Sequence, residues 1–513
     1  MGRIMNWIRS VTNRMFGQQS FFKKAGVPLN ATTTDMANAI DFWCNLYENK
    51  SPWLTEDTKS LALPSRIAAI FAQMVTVEME MKISTGDGKT PETPGKRVSQ
   101  PSTRAAFLQE ITRPVISDIQ KQTEYACAKG GLVFKPYPDG NGISFDYVQA
   151  DDFYPCTWDS KGNITSAVFL SKKKEGDSYY TRIEKHEWDR STKHYIITNK
   201  CYRSMSEKNA DLGTPCDLSE VPEWGEIEPE VPMDGIEQPL FSYFRIPLGN
   251  TIDPKSPLGV SVYATAAQAG LIRDADERYG SLMWEYDGGE LAIDASKDAF
   301  KTTKGQPELP KGHERLYRMN TIDGTTTDNE LLKTFAPTLR DESYIRGLQQ
   351  TLKQIEDTCR MSRGMLSEVQ LETRTAEEIR ASKQTTYITV SSIQTSLEHA
   401  LEGLVKACDT LASLYKLAPE GEYSIKFVWD DSIVVDSNTE KQRDLEEVAA
   451  KIMQPWEYRV KWYGEDEQTA KRMVAQEQSD DSIMGFGTPK KQPISPEKAR
   501  ENAQNQQKGG EKE

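Results

Sequence analysis

The chain has 513 residues, 37% of them hydrophobic, with 63 Lys and Arg against 77 Asp and Glu, a formal net charge of −14. At about 150 residues per domain, this length makes three to four structural units, enough to bury sizeable cores. The acidic balance excludes histone-like and repressor-like proteins, which grip DNA by neutralising its phosphates; ordinary solubility explains the charge, and a protein that merely lets DNA pass is compatible with it.

Residues 1–16 (MGRIMNWIRSVTNRMF) form an amphipathic pattern, with Ile4, Ile8, Val11 and Met15 near one face and Arg3, Arg9 and Arg14 carrying charge. Such a helix either touches a membrane surface or, more often, docks on protein. Helices are predicted over 35–48 and 62–82, the second on Ile67, Ile70, Phe71, Met74, Val77 and Met81. A third spans 103–128, kinked at Pro114 because proline lacks the amide proton and clashes with the preceding turn. Lys129-Gly130-Gly131 reads as its stop.

The period then changes to two. LVFKPYP, a DGNG turn and ISFDYVQ predict a hairpin, and strands follow at 164–171, 179–188 and 194–204. Residues 209–244 hold nine acids, five prolines and no Lys or Arg, which predicts a solvated insertion without regular structure. A helix is expected from Ser261 to Tyr286, with Tyr263, Ala267, Leu271, Ala275, Tyr279 and Met283 in one row; Ala264, Ala266, Ala269 and Gly270 thin its first half for close packing. Gly288-Gly289 ends it, and ELAID (290–294) and RLYRM (315–319) are short strands.

From Arg340 to Met361, Ile345, Leu348, Leu352, Ile355 and Cys359 recur at 3,4,3,4 spacing, the seam of helix-on-helix packing. After a break at 362–374, Thr375-Ala376-Glu377-Glu378 fits a capping box, and Val390, Ile393, Leu397, Leu401, Leu404, Cys408, Leu411 and Tyr415 carry a long helix to about Leu417. SIKFVWDDSIVVD (424–436) reads as a strand or two, 438–479 as charged helix, and 485–513 has almost nothing to bury.

Enzymatic chemistry is hard to find. Gly86-Asp87-Gly88-Lys89-Thr90 has the end of a phosphate loop, but Ile83 stands where a glycine is needed and Pro91 and Pro94 block the helix that should follow. The seven cysteines are odd in number with no CxxC pair, so neither a disulfide ladder nor a zinc site is implied, and reduced thiols are expected. His186 and His194 lack partners at ligand spacing and read as surface or sheet residues. Asp430, Asp431 and Asp436 would be the acids of a metal-dependent nuclease, although strand-end acids at a turn are the commoner meaning. No catalytic, cofactor or metal site is assigned. No stretch approaches the 18 apolar residues of a membrane span, the N-terminus shows no signal-peptide core, and Asn6 leaves a myristoylation signal after Gly2 incomplete.

Three local words stand out: Asn250-Thr251-Ile252-Asp253 with Ser256-Pro257-Leu258-Gly259-Val260-Ser261-Val262-Tyr263-Ala264; RTAEEI (374–379) opening the long helix; and Phe427-Val428-Trp429-Asp430-Asp431-Ser432-Ile433. Their order, with an α/β region, a helix, a small β-rich insert, a second helix, a loop and a very long helix, resembles the portal proteins of tailed bacteriophages, especially long-tailed phages of Gram-positive hosts. The resemblance implies an α+β portal fold and a ring, normally of twelve subunits in the virion, around a DNA tunnel. It implies an N-terminal arm (1–35), a wing (36–258), a first stem helix (259–289), a clip (290–339), a second stem helix (340–361), a tunnel loop (362–374), a long wing helix with return strand (375–436), a crown (437–484) and a disordered tail (485–513).

By the same resemblance, the stem packs through Tyr263, Ala267, Leu271, Ile345, Leu348, Leu352 and Ile355. Arg360, Arg363, Gly364 and Arg374 are tunnel candidates, the arginines either touching phosphates or bridging neighbouring acids. The implied partners are double-stranded DNA, the terminase large subunit, major capsid and scaffolding proteins and head-completion or tail adaptors, with no cofactor and no membrane. The place would be the capsid vertex of the virion, reached from the host cytoplasm during assembly. A peripheral scaffolding or membrane adaptor using residues 1–16 is the alternative. Limited proteolysis should trim 485–513 first and leave the assembly intact; protection of that tail would refute its reading as disordered.

Overall fold

A computed structural model describes residues 32–55, 58–85, 102–140, 142–205, 212–296, 302–303, 306–307, 317–320, 332–368, 376–429, 437–463 and 467–483, with Lys24 and Gly26. The expectations for residues 1–16, for the phosphate-loop-like 86–90, for Arg374 and the Thr375 cap, for Asp430, Asp431 and Asp436, and for the tail 485–513 lie outside the described residues. The chain divides into one unit through Asp430 and a second from Asp431.

In the first unit, α1 (Thr34–Tyr47) starts where the Thr33 hydroxyl accepts from the Met36 amide. The next helix, α2 (Leu63–Thr76), buries Ile67, Phe71 and Val75 but ends well short of residue 82. Val77 is exposed, and β1 (Met79–Ser84) follows, because MEMKIS alternates: Met81 and Ile83 point inward while Glu80 and Lys82 stay in water. A period of two takes over from the helical spacing that Met81 also fits.

The predicted helix over 103–128 is two: α3 (Thr103–Ser117) and α4 (Ile119–Lys129). Pro114 sits inside α3, and the break falls one turn later, at Asp118 with φ −97° and ψ 0°. The hairpin forms as predicted from β2 (Gly131–Asp139) and β3 (Gly142–Gln149).

A larger antiparallel sheet runs β4 (Phe153–Trp158), β5 (Ile164–Glu175), β6 (Ser178–Asp189) and β7 (His194–Ser204). The outer edge of β7 is shared. β8 (Thr214–Cys216) pairs with its second half and β9 (Glu230–Asp234) with its first. The acidic stretch is therefore ordered where described, from residue 212 onward. Its spaced apolar residues do the work that its average composition conceals. Leu218, Val221 and Trp224 bury against Tyr180 and Cys201, while Met233, Ile236, Leu240, Phe241 and Phe244 enter the main core. The stretch ends in β10 (Ser242–Arg245), which joins β2 to make a three-stranded sheet with β3.

After α5 (Ala264–Gln268) and α6 (Leu271–Gly288) comes β11 (Ala292–Ser296). The two-residue strands β12 (Thr302–Thr303) and β13 (Gln306–Pro307) pair with each other. β14 (Tyr317–Asn320) lies parallel to β11, and β15 (Leu332–Phe335) antiparallel on its other side. Helix α7 (Asp341–Thr358) returns, and α8 (Ala376–Leu414), 39 residues long, crosses the middle of the unit. Val390, Ile393, Leu397, Leu401, Leu404, Cys408 and Leu411 are buried on it, whereas Tyr415, beyond its end, is exposed. β16 (Ser424–Trp429) then pairs antiparallel with β1. Helix and strand elements with separate sheets make the fold α+β.

Buried ionic groups lock these elements together. Arg104 of α3 is 1% exposed. Its Nε meets Asp409 Oδ1 at 2.5 Å, its Nη2 donates to the Asp409 carbonyl at 2.6 Å and to the Ser413 hydroxyl, and its Nη1 to the Ala418 carbonyl at 2.9 Å. A guanidinium with several donors thus ties α3 to the last part of α8 and to the segment that follows it. Between the two larger sheets, Glu184 takes Lys135 Nζ at 2.7 Å, Arg182 Nη2 at 2.9 Å and His186 Nε2 at 2.7 Å, and Lys135 also reaches Asp146 at 3.1 Å. His186, expected as a surface or sheet residue, is a buried one of β6. With its Nε2–H given to Glu184, its Nδ1 accepts from the Tyr195 hydroxyl at 2.6 Å, and that hydroxyl accepts from the Leu240 amide at 3.2 Å.

In the second unit, α9 (Ser437–Ala449), α10 (Pro455–Tyr463) and α11 (Glu467–Ile483) follow one another. The buried Asp444 carboxylate holds Lys461 Nζ at 2.6 Å and Trp462 Nε1 at 2.9 Å, and Lys461 holds its pKa below the ordinary carboxylate range.

Burial lowers the pKa of His186 below its ordinary 6.5, against the pull of Glu184. Above that value the ring is neutral folded or unfolded, so nothing is lost. Below it the unfolded chain binds a proton that the folded one resists, and stability falls by up to about 1.4 kcal/mol per pH unit. Glu184, held well below 4.5 despite burial by Lys135 and its neighbours, adds a second loss only beneath its own unfolded value. Unfolding measured from about pH 8 to pH 5 should show the upper loss in the native chain and not in His186→Gln; equal slopes would remove His186 from the account.

Candidate functional site

The predicted helix from Ser261 to Tyr286 is interrupted. Gly270 adopts φ +78°, so α5 stops and α6 starts anew. Tyr263 precedes α5, fully buried, its hydroxyl donating to the Trp43 carbonyl at 3.0 Å. Upstream, the SPLGVS word crosses the end of α4. A Cβ on Gly259 would lie 2.2 Å from the Gly130 carbonyl oxygen, and one on Gly130 2.7 Å from that of Gly259. No side chain fits at either position, which is why this word contains glycine. Ala264, Ala266 and Ala267 are buried within their own chain, so their small size already has an intramolecular use.

Asp276 holds the first part of α6 in place. It is 2% exposed, accepting from the Leu61 amide and from Trp53 Nε1, both at 2.9 Å. Burial raises its pKa. At the far end of α6, Glu285 accepts from the Arg340 amide at 3.1 Å and from its Nε and Nη2 at 3.1 and 2.8 Å. This clamp joins the two points where the chain leaves for, and returns from, the three-stranded sheet of β11, β14 and β15. Between the clamps α7 lies along α6.

The α7 seam is satisfied inside the chain. Leu348, Leu352 and Ile355 are buried, Ile345 and Leu271 half-buried, and Ala267 buried. Helices α6 and α5 and the main core of the same chain cover these faces, so they need no neighbouring subunit. Leu352→Asp would therefore damage the fold before it could report on assembly.

The loop after α7 is ordered by one carboxyl group. Arg360 takes φ +60° at the helix end, and the Met361 amide returns to the Glu356 carbonyl at 2.8 Å and the Arg360 amide to that of Asp357 at 3.2 Å. This is a Schellman ending with arginine where glycine is usual. Glu356, fully buried, then accepts from the amides of Gly364 at 3.1 Å, Leu366 at 2.6 Å and Ser367 at 2.8 Å, and from the Ser367 hydroxyl at 2.8 Å. Gln349 takes the Glu368 amide at 2.8 Å, and Ser362 meets Thr386 of α8 at 2.8 Å. Met361 and Leu366 are buried. Residues 362–368 are thus folded down onto α7 and α8. The sequence shows no period here because the order comes from hydrogen bonds to one side chain.

Outward, the loop and the end of α7 present two arginines beside two exposed acids, Asp357 and Glu368. Arg360 is exposed. Arg363 is exposed and forked onto Asp357, Nε to Oδ1 at 3.2 Å and Nη2 to Oδ2 at 2.9 Å, the acid-bridging arrangement. Gly364, at φ +95°, makes the turn between Arg363 and the amides aimed at Glu356. Arg66 of α2, not singled out by sequence, joins them: its Nη2 donates to the Met365 carbonyl at 3.3 Å. No local pattern could find it, since 299 residues separate the pair.

Among the described residues there is no group of three His, Cys, Asp or Glu able to hold a metal, and no helix long and apolar enough to cross a membrane. The profile of phage portal proteins, SPP1 Gp6-like, matches residues 117–482. The chain belongs to this family. No curated protein matches it. The portal match begins at the last residue of α3, takes in every strand from β2 to β16, the α6–α7 pair, the pinned loop and α8, and runs into α11. Helices α1 and α2, which supply Trp43, Arg66 and the covering of Tyr263, precede it.

Glu356→Gln replaces an acceptor oxygen with a donor that faces backbone N–H groups. It should cost about 2–3 kcal/mol in urea unfolding and raise hydrogen exchange at the amides of Gly364, Leu366 and Ser367. Unchanged protection of those amides would show that the loop is held by something else.

Proposed function

We propose that the chain is one subunit of a ring, of twelve copies in the virion, that encloses a channel for double-stranded DNA at a single capsid vertex. The ring admits DNA during packaging, retains it and releases it at ejection. It is a structural part without catalysis of its own, and a separate terminase large subunit drives the DNA. The ring is built in the host cytoplasm with capsid and scaffolding proteins and later receives head-completion or tail adaptors.

Membership of the portal family is the observation that carries this reading. Within it, residues 36–258 and 375–436 are the wing, α6 and α7 the stem, 290–339 the clip, 362–374 the tunnel loop and 437–484 the crown. Several features support the assignment. The helix pair is clamped at both ends, as a stem must be, and the β-rich insert emerges beyond the Glu285–Arg340 clamp. Trp284 is 68% exposed on α6, with Leu291 and Leu339 exposed near that end, an apolar strip that an adjacent subunit would cover.

The basic edge of Arg66, Arg360 and Arg363 suits brief phosphate contact. Arg363 already has Asp357, so a phosphate competes for it and is released easily. A net charge of −14 keeps the channel from gripping DNA through many released counterions.

Negative-stain microscopy and native mass spectrometry of the purified chain should show closed rings; monomer alone at micromolar concentration, with no ring in particles, would overturn the reading. Trp284→Glu should leave the stability of the subunit within about 0.5 kcal/mol while lowering ring yield. Full ring yield would remove the outer face of α6 from the subunit contact.

A further inference from the structure

Cysteines 201 and 216 are register partners on the antiparallel strands β7 and β8, with their sulfurs 2.9 Å apart. Directly opposed residues of such strands have Cα atoms about 4.5–5.5 Å apart, inside the span of about 4.4–6.8 Å that a disulfide bridges. Bond formation needs only side-chain rotation. The two thiols also line a cleft of about 420 Å³, together with Lys200, Tyr202, Asp217 and Ile227. Cys201 is buried and Cys216 half-buried, whereas Cys44, Cys127, Cys156, Cys359 and Cys408 are all buried. β8 is held by few pairs, Thr214 to Cys216 against Cys201 to Arg203, so a covalent tie there has something to hold.

We propose that Cys201 and Cys216 are a dithiol site that a low-molecular-weight disulfide, such as oxidised glutathione, converts to an intrachain disulfide. The more exposed Cys216 thiolate attacks one sulfur of the glutathione disulfide. An S–S bond forms to Cys216, and one glutathione leaves as thiolate and takes up a proton. The Cys201 thiolate then attacks the Cys216 sulfur, and the second glutathione leaves likewise. The protein loses two protons and two electrons, and the glutathione disulfide gains them. Burial raises the pKa of both thiols, that of Cys201 to about 12, so the reaction accelerates as pH rises. The product staples β8, and the acidic stretch that follows it, to the outer edge of β7. This inference stands apart from the ring and its channel.

The test is peptide mapping of the full chain after incubation with oxidised glutathione, acid quenching and alkylation in denaturant. The native chain should yield a Cys201–Cys216 peptide lighter by two hydrogen atoms, restored by reductant, with the five other cysteines alkylated. Cys201→Ser should stop at a stable glutathione adduct on Cys216, and Cys216→Ser should leave Cys201 unmodified. Free, alkylated Cys201 and Cys216 in the native chain, a persistent adduct on its Cys216, or a bridge between two chains would each overturn the proposal, whatever the variants do.

Discussion

A charge taken out of water has to be met by counter-groups, and this requirement fixes the joints of the chain. Arg104 meets the carboxylate and carbonyl of Asp409 and, past the end of α8, the Ala418 carbonyl. Glu184 meets a lysine, an arginine and a histidine between two sheets. Asp276 receives the segment before α2, and Glu356 gathers the loop after α7. In each case removing the central charge leaves its buried partners unmet, which costs more than the interaction contributes. The apolar core supplies bulk stability, but apolar contact is non-directional. The ionic joints decide which loop lies on which helix, and so where the basic edge falls.

The legibility of the sequence follows from distance along the chain. The seams of α7 and α8, the β2–β3 hairpin and strands β5, β6 and β7 of the large sheet were readable because their signal repeats within a few residues. The joints were not, because their halves lie far apart: Arg104 and Asp409 by 305 residues, Trp53 and Asp276 by 223. Two misreadings have a different origin. Composition averaged over 209–244 hid Trp224, Met233 and Phe241 among the acids, although each buries. Met81 fitted a helical row and an alternating strand equally, and only its pairing partner, Phe427 of β16, decides between them.

The tunnel candidates show the same division. Arg363 and Gly364 were legible as part of a break between two seamed helices, Arg360 fell inside the helix read before it, and Arg374 lies outside the described residues. That the break is pinned rather than loose depends on Glu356, which in sequence is one acid among many on α7. A pinned loop changes what the arginines can do. The backbone of Arg360 and Arg363 is held in place, so only their side chains are left to adapt.

The pairing of β1 with β16 has a consequence in time. The hydroxyls of Ser84 and Ser424 meet at 3.1 Å across 340 residues. During synthesis at about 5–20 residues per second, β1 waits roughly 17–70 s for its partner strand to be made. Through that interval the edge of β1 that β16 will take is uncovered, as is the surface of α2 that α8 later takes. The first unit therefore closes late, when its last strand leaves the ribosome. Truncation before residue 424 leaves an open strand edge for other chains to pair with.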